Sequence, residues 1–285
     1  MNSLVLLTGA TGFVGRQVYK SLLNLGIKVR VVVRDGKAAD IESSEHLESV
    51  VVTKDLFSEN DTWWAEVCNG VDIVIHVAWY AEPGKYLDSP RNIDCLIGTL
   101  ALAKGAAQAK VRRFIGIGTC YEYDLTSGHL SIDTSLKPLT PYAAAKAATF
   151  MALSKWLPTQ KVEFAWCRLF YLYGEGEDQR RLLPYLRAKF AKGEVAELGD
   201  GDQVRDYLDV KLAGRMISEI SLSDITDAVN VCSGIPITLK ELAEKIADEF
   251  GGRHLLNFGA RKDSHFNPPV VVGVTKFNTK FSQVK

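Results

Sequence analysis

The chain has 285 residues, 47% of them hydrophobic and 24% charged, and its 34 basic and 34 acidic side chains cancel at neutral pH. That length buries a substantial core, as one large domain or two modest lobes, and zero net charge excludes a global electrostatic case for nucleic acid or membrane partners. The five cysteines (Cys68, Cys95, Cys120, Cys167 and Cys232) form no C-x-x-C pair and no metal-ligand spacing, which fits a reducing cytosol better than a disulfide scaffold or a metal centre.

In chain order, Leu4 to Leu7 predicts a buried strand. The run is too short for a leader's apolar segment and leads into glycines, so a soluble cytoplasmic protein is expected. A helix follows over about Phe13 to Leu25, then strands at Lys28 to Val33 and Ser49 to Thr53. Next come a helix over Asp61 to Cys68, a strand over Asp72 to Val77, a helix over Pro90 to Ala109 and a strand over Phe114 to Ile117. A helix over Pro141 to Trp156 and a sixth strand over Val162 to Leu169 close this series. Strands alternating with helices imply parallel pairing through crossovers, hence an α/β, Rossmann-type doubly wound parallel sheet. After Gly174 the rhythm changes, which predicts a dinucleotide-binding domain over residues 1–174 and a smaller, partly interleaved substrate lobe over 175–285. Within the latter, strands are expected at Val204 to Val210 and Val229 to Cys232, and helices near Leu212 to Ser221 and Leu239 to Phe250.

Three fragments carry chemistry. In T-G-A-T-G-F-V-G (Thr8 to Gly15), Gly9, Gly12 and Gly15 occupy the first strand-to-helix turn. Glycines there permit a tight turn and close backbone approach, so a helix N-terminus can hold a pyrophosphate. The end of the second strand should meet the adenosine ribose, where a basic residue accommodates a 2′-phosphate. Arg34 stands there with Lys37 nearby, although Asp35 would oppose a phosphate if it pointed inward; the charge argument favours NADP(H) over NAD(H). Tyr142 and Lys146 are four apart on a predicted helix and share a face, so a lysine cation can favour the phenolate. Thr119, after the fifth strand, would hydrogen-bond the reacting oxygen. Tyrosine and lysine at that spacing are commonly a solvated helix face; the order of all three along the chain is what places them at one rim of a sheet.

With those motifs in view, nearly the whole sequence resembles the extended short-chain dehydrogenase/reductases, the NAD-dependent epimerase/dehydratase family acting on nucleotide sugars. T-G-A-T-G-F-V-G is similar to their cofactor loop, which implies contacts from Thr11, Phe13 and Val14 beside the glycines. K-D-L resembles the segment whose aspartate meets adenine, implying Asp55 and Leu56, and I-H-V-A resembles the motif that brings Val77 and Ala78 to the cofactor. N-I-D-C-L-I-G-T resembles a helix start of that family, and T-C-Y-E-Y-D with P-Y-A-A-A-K resembles its catalytic segments. R-L-F-Y-L-Y-G, G-D-G-D-Q-V-R-D-Y-L-D-V and N-V-C-S-G resemble its nucleotide-sugar lobe, which implies that Arg205 binds the substrate diphosphate. Three features depart from the pattern: Tyr171 replaces an asparagine near the phosphates, Lys211 and Leu212 replace an acidic pair, and the end at Phe277 to Lys285 is shorter than the pattern.

The resemblance implies a dehydratase, epimerase, decarboxylase or ketoreductase. A 4,6-dehydratase carries an acidic pair directly after the threonine; here the positions are Cys120 and Tyr121, and Glu122 is one place too far. Arg34 favours dissociable NADPH, so a 4-ketoreductase of a nucleotide-linked 4-keto-6-deoxyhexose is expected, with a 4-epimerase retaining NAD as the alternative. A non-catalytic NADP-binding regulator would not need the proton-transfer set, and a reductase of a flavonoid or steroid would not need Arg205. Around the substrate, Cys120, Tyr121 and Tyr171 are candidates, and so is Tyr80, in a loop with Trp79, Glu82, Lys85 and Tyr86 that either touches the sugar or packs at the lobe interface. Arg180 either reaches the diphosphate or solvates a helix start, and His76 reads as a satisfied core histidine. The alanine-rich helices near Gly98 to Ala109 and Ala143 to Ala152, with the family resemblance, imply a homodimer.

Overall fold

The computed structural model describes residues 3–261 and 268–275; the segment Phe277 to Lys285 lies outside them. The first strands and helices are β1 (Leu4–Thr8), α1 (Phe13–Asn24), β2 (Lys28–Arg34), β3 (Leu47–Thr53), α2 (Asp61–Val67), β4 (Ile73–His76), α3 (Arg91–Gln108) and β5 (Arg113–Thr119). Then follow β6 (His129–Leu130), α4 (Pro141–Thr159), β7 (Glu163–Leu169), β8 (Tyr171–Tyr173), α5 (Leu182–Ala191), β9 (Ala196–Glu197) and β10 (Val204–Asp209). The last are α6 (Val210–Leu222), β11 (Asp227–Val231), β12 (Pro236–Thr238), α7 (Leu239–Asp248), β13 (Leu256–Asn257) and β14 (Val270–Gly273).

Seven strands pair in parallel in the order β11-β7-β5-β4-β1-β2-β3. Alternation along each strand sends neighbouring side chains to opposite faces, and both faces are apolar because helices cover both. Val5, Leu7, Ile73, Ile75, Ile115 and Ile117 pack with Val18, Leu22, Met216 and Ile217 from α1 and α6. Leu6, Val74 and Phe114 face the other way, onto Trp64, Leu102, Ala106 and Leu153 from α2, α3 and α4. Strand order turns between β1 and β4, where such sheets open a crevice at the strands' carboxyl ends.

The smaller lobe is a five-stranded sheet, β12-β10-β14-β6 with β8 on β10, and a layer in which α5 and α7 enclose Leu183, Leu186, Phe190, Ala243 and Ile246. The chain does not divide cleanly at Gly174. From β10 it returns to the large layer: α6 lies on α1, where a Cβ at Gly214 would come within 2.7 Å of Gln17, and β11 extends the seven-stranded sheet beside β7. Among the described residues, no helix is long and apolar enough to cross a membrane.

Candidate active site

The site begins where β1 ends. Gly9 adopts φ +76°, a conformation that disfavours any side chain, and a Cβ there would lie 2.7 Å from the Ala78 amide nitrogen. At Gly15 a Cβ would lie 2.0 Å from the Gly9 carbonyl oxygen, so the first turn of α1 folds back directly on the loop. Gly12 caps α1 without a side-chain hydrogen bond, and no acidic residue occupies the first turn. The amino end, carrying Thr11, Gly12, Phe13 and Val14, thus presents backbone N–H groups and a positive dipole end to the crevice. A cradle that tolerates no Cβ and leaves its donors uncapped fits a dinucleotide pyrophosphate. Val77 and Ala78 close the opposite wall, with their amides on the Thr8 carbonyl and hydroxyl. Leu56 is buried, Asp55 pairs with Arg91 at 3.5 Å, and Arg34 is exposed at the carboxyl end of β2.

His76 holds this rim together. Its Nδ1 meets the Thr8 hydroxyl at 2.8 Å and its Nε2 the Thr99 hydroxyl at 2.9 Å. Thr99 donates to the Cys95 carbonyl, so Nε2 carries the proton and Nδ1 accepts from Thr8. Burial, then the nearby Lys146, push its pKa down to about 3, so the ring is a neutral link between β1, β4 and α3.

Thr119 ends β5 and caps the short turn Cys120–Glu122. Across from it α4 starts with Thr140, whose hydroxyl accepts from the Ala143 amide at 3.2 Å, and Pro141 at the first position. Cap and proline fix the helix start, and the Tyr142 amide donates to the Leu87 carbonyl at 2.9 Å. Burial pushes the Tyr142 phenol well above its ordinary range, against which a hydrogen bond with Thr119 pulls it down. Lys146 is 3% exposed; its Nζ donates to the Ile117 carbonyl at 2.5 Å and lies 3.7 Å above the centre of the Trp79 ring. Burial pushes its pKa down to about 7, despite Cys95 and Glu122 pulling it up. The ammonium therefore rests on a carbonyl and an aromatic face, and the contact to Tyr142 is carried by Thr119.

The structure thus brings Thr119, Tyr142 and Cys120 to one point, with Lys146 one layer behind. Cys120 is buried, and its thiol is pushed up to about 12 by burial. Tyr121 and Tyr171 form a second group, hydroxyl to hydroxyl at 3.3 Å. Arg205 lies beneath it, its guanidinium 5.4 Å from the Tyr171 ring centre and donating to the Val204 carbonyl at 2.9 Å. Tyr80 stands apart, donating to Glu82 at 3.0 Å under Arg91. Arg180 is exposed, paired with Asp178 at 2.8 Å and with Glu82 at 3.8 Å, so it spans the loop after β4 and the approach to α5. A cleft of about 480 Å³ lined by Pro158, Lys161, Glu163, Phe164 and Asp227 borders the amino ends of β7 and β11. It contains none of these groups; position at the carboxyl rim, not cleft volume, locates the chemistry.

Four contributors have roles that sequence reasoning did not assign. Trp79 carries Lys146, and Tyr86 packs edge-on against Tyr142 at 4.8 Å between centres. Asp206, fully buried, accepts from the amides of Ser233, Gly234 and Gly273 and fastens the lobe strands. Glu122 is fully buried on Arg168 at 2.7 Å. Only Glu122 had a local signal: T-x-x-E is the capping-box pattern, and the turn forms that box.

The sequence model of the NAD dependent epimerase/dehydratase family matches residues 5–230. The chain belongs to that family. Membership bears out the resemblance read from the motifs, and with it the oxidoreductase and epimerase class that uses a nicotinamide cofactor. Among curated members, the dTDP-6-deoxy-L-talose 4-dehydrogenase (NAD(+)) of Aggregatibacter actinomycetemcomitans is 25% identical over 247 residues, covering 86% of this chain and 90% of that protein. A dTDP-glucose 4,6-dehydratase of Streptomyces niveus is 25% identical over 267 residues, 87% of this chain and 77% of that protein. The solved UDP-N-acetylglucosamine 4-epimerase from Methanobrevibacter ruminantium superposes with TM-score 0.84 over 99% of this chain and 92% of that one, at 22% identity, which shows the shared fold.

A buried lysine works against stability. With its pKa at about 7 instead of 10.5, the unfolded chain binds more protons than the native state between those values, so the Lys146 contribution is fully present above pH 10.5 and lost as pH falls through 7. Lys146→Met should therefore unfold about 1–3 kcal/mol less readily than the wild type near neutral pH, the gap closing as pH rises. Chemical denaturation at several pH values checks this; equal or lower stability at neutral pH would contradict it.

Proposed function

We propose that this protein is an NADPH-dependent 4-ketoreductase acting on a nucleotide-linked 4-keto-6-deoxyhexose. The observation that carries the reading is the turn after Thr119. A buried thiol and a tyrosine on another tyrosine occupy the two positions that would need an acid and a base for dehydration, and Glu122 is sealed in an ion pair. Proton movement then falls to Thr119 and Tyr142 alone, which suits redox at a single carbon. The similarity to a talose 4-dehydrogenase supports chemistry at that position.

When bound in the cradle, a nicotinamide dinucleotide supplies the hydride. Thr119 and Tyr142 hydrogen-bond the carbonyl oxygen and polarise it, and Tyr142 delivers its proton as the oxygen becomes an alkoxide. A phenol held up by burial stays protonated at neutral pH, the state a donor needs. Lys146 would bind the nicotinamide ribose and, from one layer behind, offset charge on the phenolate left behind. Tyr121, Tyr171 and Arg205 form the wall toward the nucleotide, with Tyr80 and Arg180 at the mouth. Arg34 would meet the adenosine 2′-phosphate that separates NADP from NAD, Asp55 and Leu56 would meet the adenine, and Val77 and Ala78 would wall the cradle beside Gly9.

A second reading, a 4-epimerase retaining NAD, is favoured by the likeness to the UDP-N-acetylglucosamine 4-epimerase. Purified enzyme distinguishes the two: interconversion of a 4-hydroxy epimer pair without added cofactor, with keto-sugars left unreduced, would replace the reductase reading. Tyr142→Phe should reduce turnover by about a thousandfold or more while cofactor affinity, read by fluorescence titration, stays near wild type. Residual turnover within tenfold of wild type would remove Tyr142 from the role. Arg34→Ala should weaken NADPH binding about tenfold or more and leave NADH binding unchanged; equal affinities before and after would overturn the NADP assignment. The same family and the exposed Ile93, Ile97 and Met151 on α3 and α4 support a homodimer through these helices. Sedimentation should then give twice the 31.4 kDa chain mass, and Ile97→Glu should shift it to one chain; a wild-type monomer would contradict the proposal.

A further inference from the structure

Glu122 contributes neither acid nor base, yet the structure around the site is shaped to hold it. Its carboxylate is fully buried and accepts from the Thr119 amide at 2.8 Å, the Trp166 indole at 3.0 Å and the Arg168 Nε–H at 2.7 Å. The glycines of I-G-I-G-T make room for it. A Cβ at Gly118 would lie 2.2 Å from the indole nitrogen and 2.4 Å from the Glu122 carboxylate, and one at Gly116 would lie 2.3 Å from the indole ring. Arg168 is in turn fixed between the rings of Tyr123 and Phe150, each 4.5 Å away, and donates to the Tyr123 hydroxyl at 3.0 Å. That hydroxyl donates to Asn230 at 2.7 Å, whose amide donates to the Leu130 and Val274 carbonyls at 2.8 and 3.1 Å. One hydrogen-bonded line therefore runs from the peptide of Thr119 to the strands of the smaller lobe.

A buried ion pair is a poor device for stability alone, because an apolar pair of equal volume serves as well or better. What an apolar pair cannot do is accept the Thr119 N–H and set the angle at which its hydroxyl leaves the strand. We propose that Glu122, clamped by Arg168, is a positioning residue for Thr119, and that through it the smaller lobe sets the orientation of the hydroxyl that meets Tyr142 and the reacting oxygen. The inference rests on the reading of Thr119 and Tyr142 as the proton-transfer set.

Its charge supplies a readout that packing alone would not move. Tyr142 faces Tyr86 from the loop after β4, with Cys120 and Glu122 from the turn after β5. Lys146 faces Cys95 from α3, His76 from β4 and Glu122. The Glu122 carboxylate holds up the pKa of both Tyr142 and Lys146, so removing its charge lowers both. The phenol stays protonated across the assay range, whereas Lys146 loses its charge near 7, so the alkaline limb of the rate profile then moves to lower pH.

The test uses the enzyme with NADPH and a UDP- or dTDP-linked 4-keto-6-deoxyhexose, followed by nicotinamide absorbance. Glu122→Gln keeps the length but loses the charge, and one amide oxygen cannot serve both Thr119 and Arg168. Glu122→Asp keeps the charge but loses the reach. Both should lower kcat by about tenfold to a hundredfold with substrate KM within about twofold. The alkaline limb should move down in Glu122→Gln and stay in place in Glu122→Asp. If neither folds, Trp166→Phe, which removes one donor and leaves no charge unpaired, should lower kcat several-fold. Wild-type kcat in a folded Glu122 variant, or in Trp166→Phe where those do not fold, would overturn the inference, as would a loss confined to KM or an unmoved limb in Glu122→Gln. Tyr142→Phe, assayed alongside, separates the levels: if it stays active, the proton-transfer reading itself fails; if it is inactive beside unaffected Glu122 variants, only the positioning role fails.

Discussion

Three neighbouring parallel strands end on one rim, and every chemical group of the site depends on that register. Leu7 of β1 stands opposite Ile75 of β4, and Ile75 opposite Ile115 of β5, so the loops that follow leave the sheet side by side. The cradle at Gly9 and Gly15, the wall at Val77 and Ala78 and the threonine at the end of β5 are consequences of where those strands stop. The absence of a Cβ at Gly9 allows the first two to touch; an added methyl there would overlap the Ala78 amide. Because the sheet is covered on both faces, this rim is where a polar ligand can meet backbone donors without crossing a core.

The seven-stranded sheet was legible because its strands are short β-branched runs punctuated by glycines, and parallel topology follows from the helices between them. The strand ends were legible to within a few residues. Less legible was the return of the chain to the large layer through α6 and β11, since nothing local tells V-K-L-A-G-R-M or D-A-V-N-V which sheet it joins. The contact that decides it, Gly214 against Gln17, lies nearly two hundred residues apart in the chain. In the candidate site, order and spacing placed Thr119, Tyr142 and Lys146 at one rim. Trp79 and Tyr86 were not legible, because an aromatic residue in a loop carries no sign of which side chain it will meet. The expected direct tuning of Tyr142 by the lysine is also not what the fold displays. Lys146 lies over Trp79 and on the Ile117 carbonyl, an arrangement set by tertiary packing and not by the helical spacing that first drew attention to it.

Burial acts in opposite directions on the two residues of that helix. It pushes the phenol up and the ammonium down, which leaves a protonated phenol on the same helix as a lysine that titrates near neutrality. Such a pair costs stability, and the fold supports it with neutral polar links such as His76 and with the sealed carboxylate of Glu122. In the turn after β5 the one carboxylate is withdrawn into the framework. Chemistry at one carbon is the reading we propose from it.

The central claim is that the enzyme moves one hydride and one exchangeable proton at a single carbon. Turnover in deuterium oxide with NADPH deuterated at the transferring position of the nicotinamide tests it most directly. The account predicts carbon-bound deuterium at the reduced carbon alone, derived from the cofactor, and none from solvent. Solvent deuterium bound at a neighbouring carbon, or product formed without label from the cofactor, would contradict it.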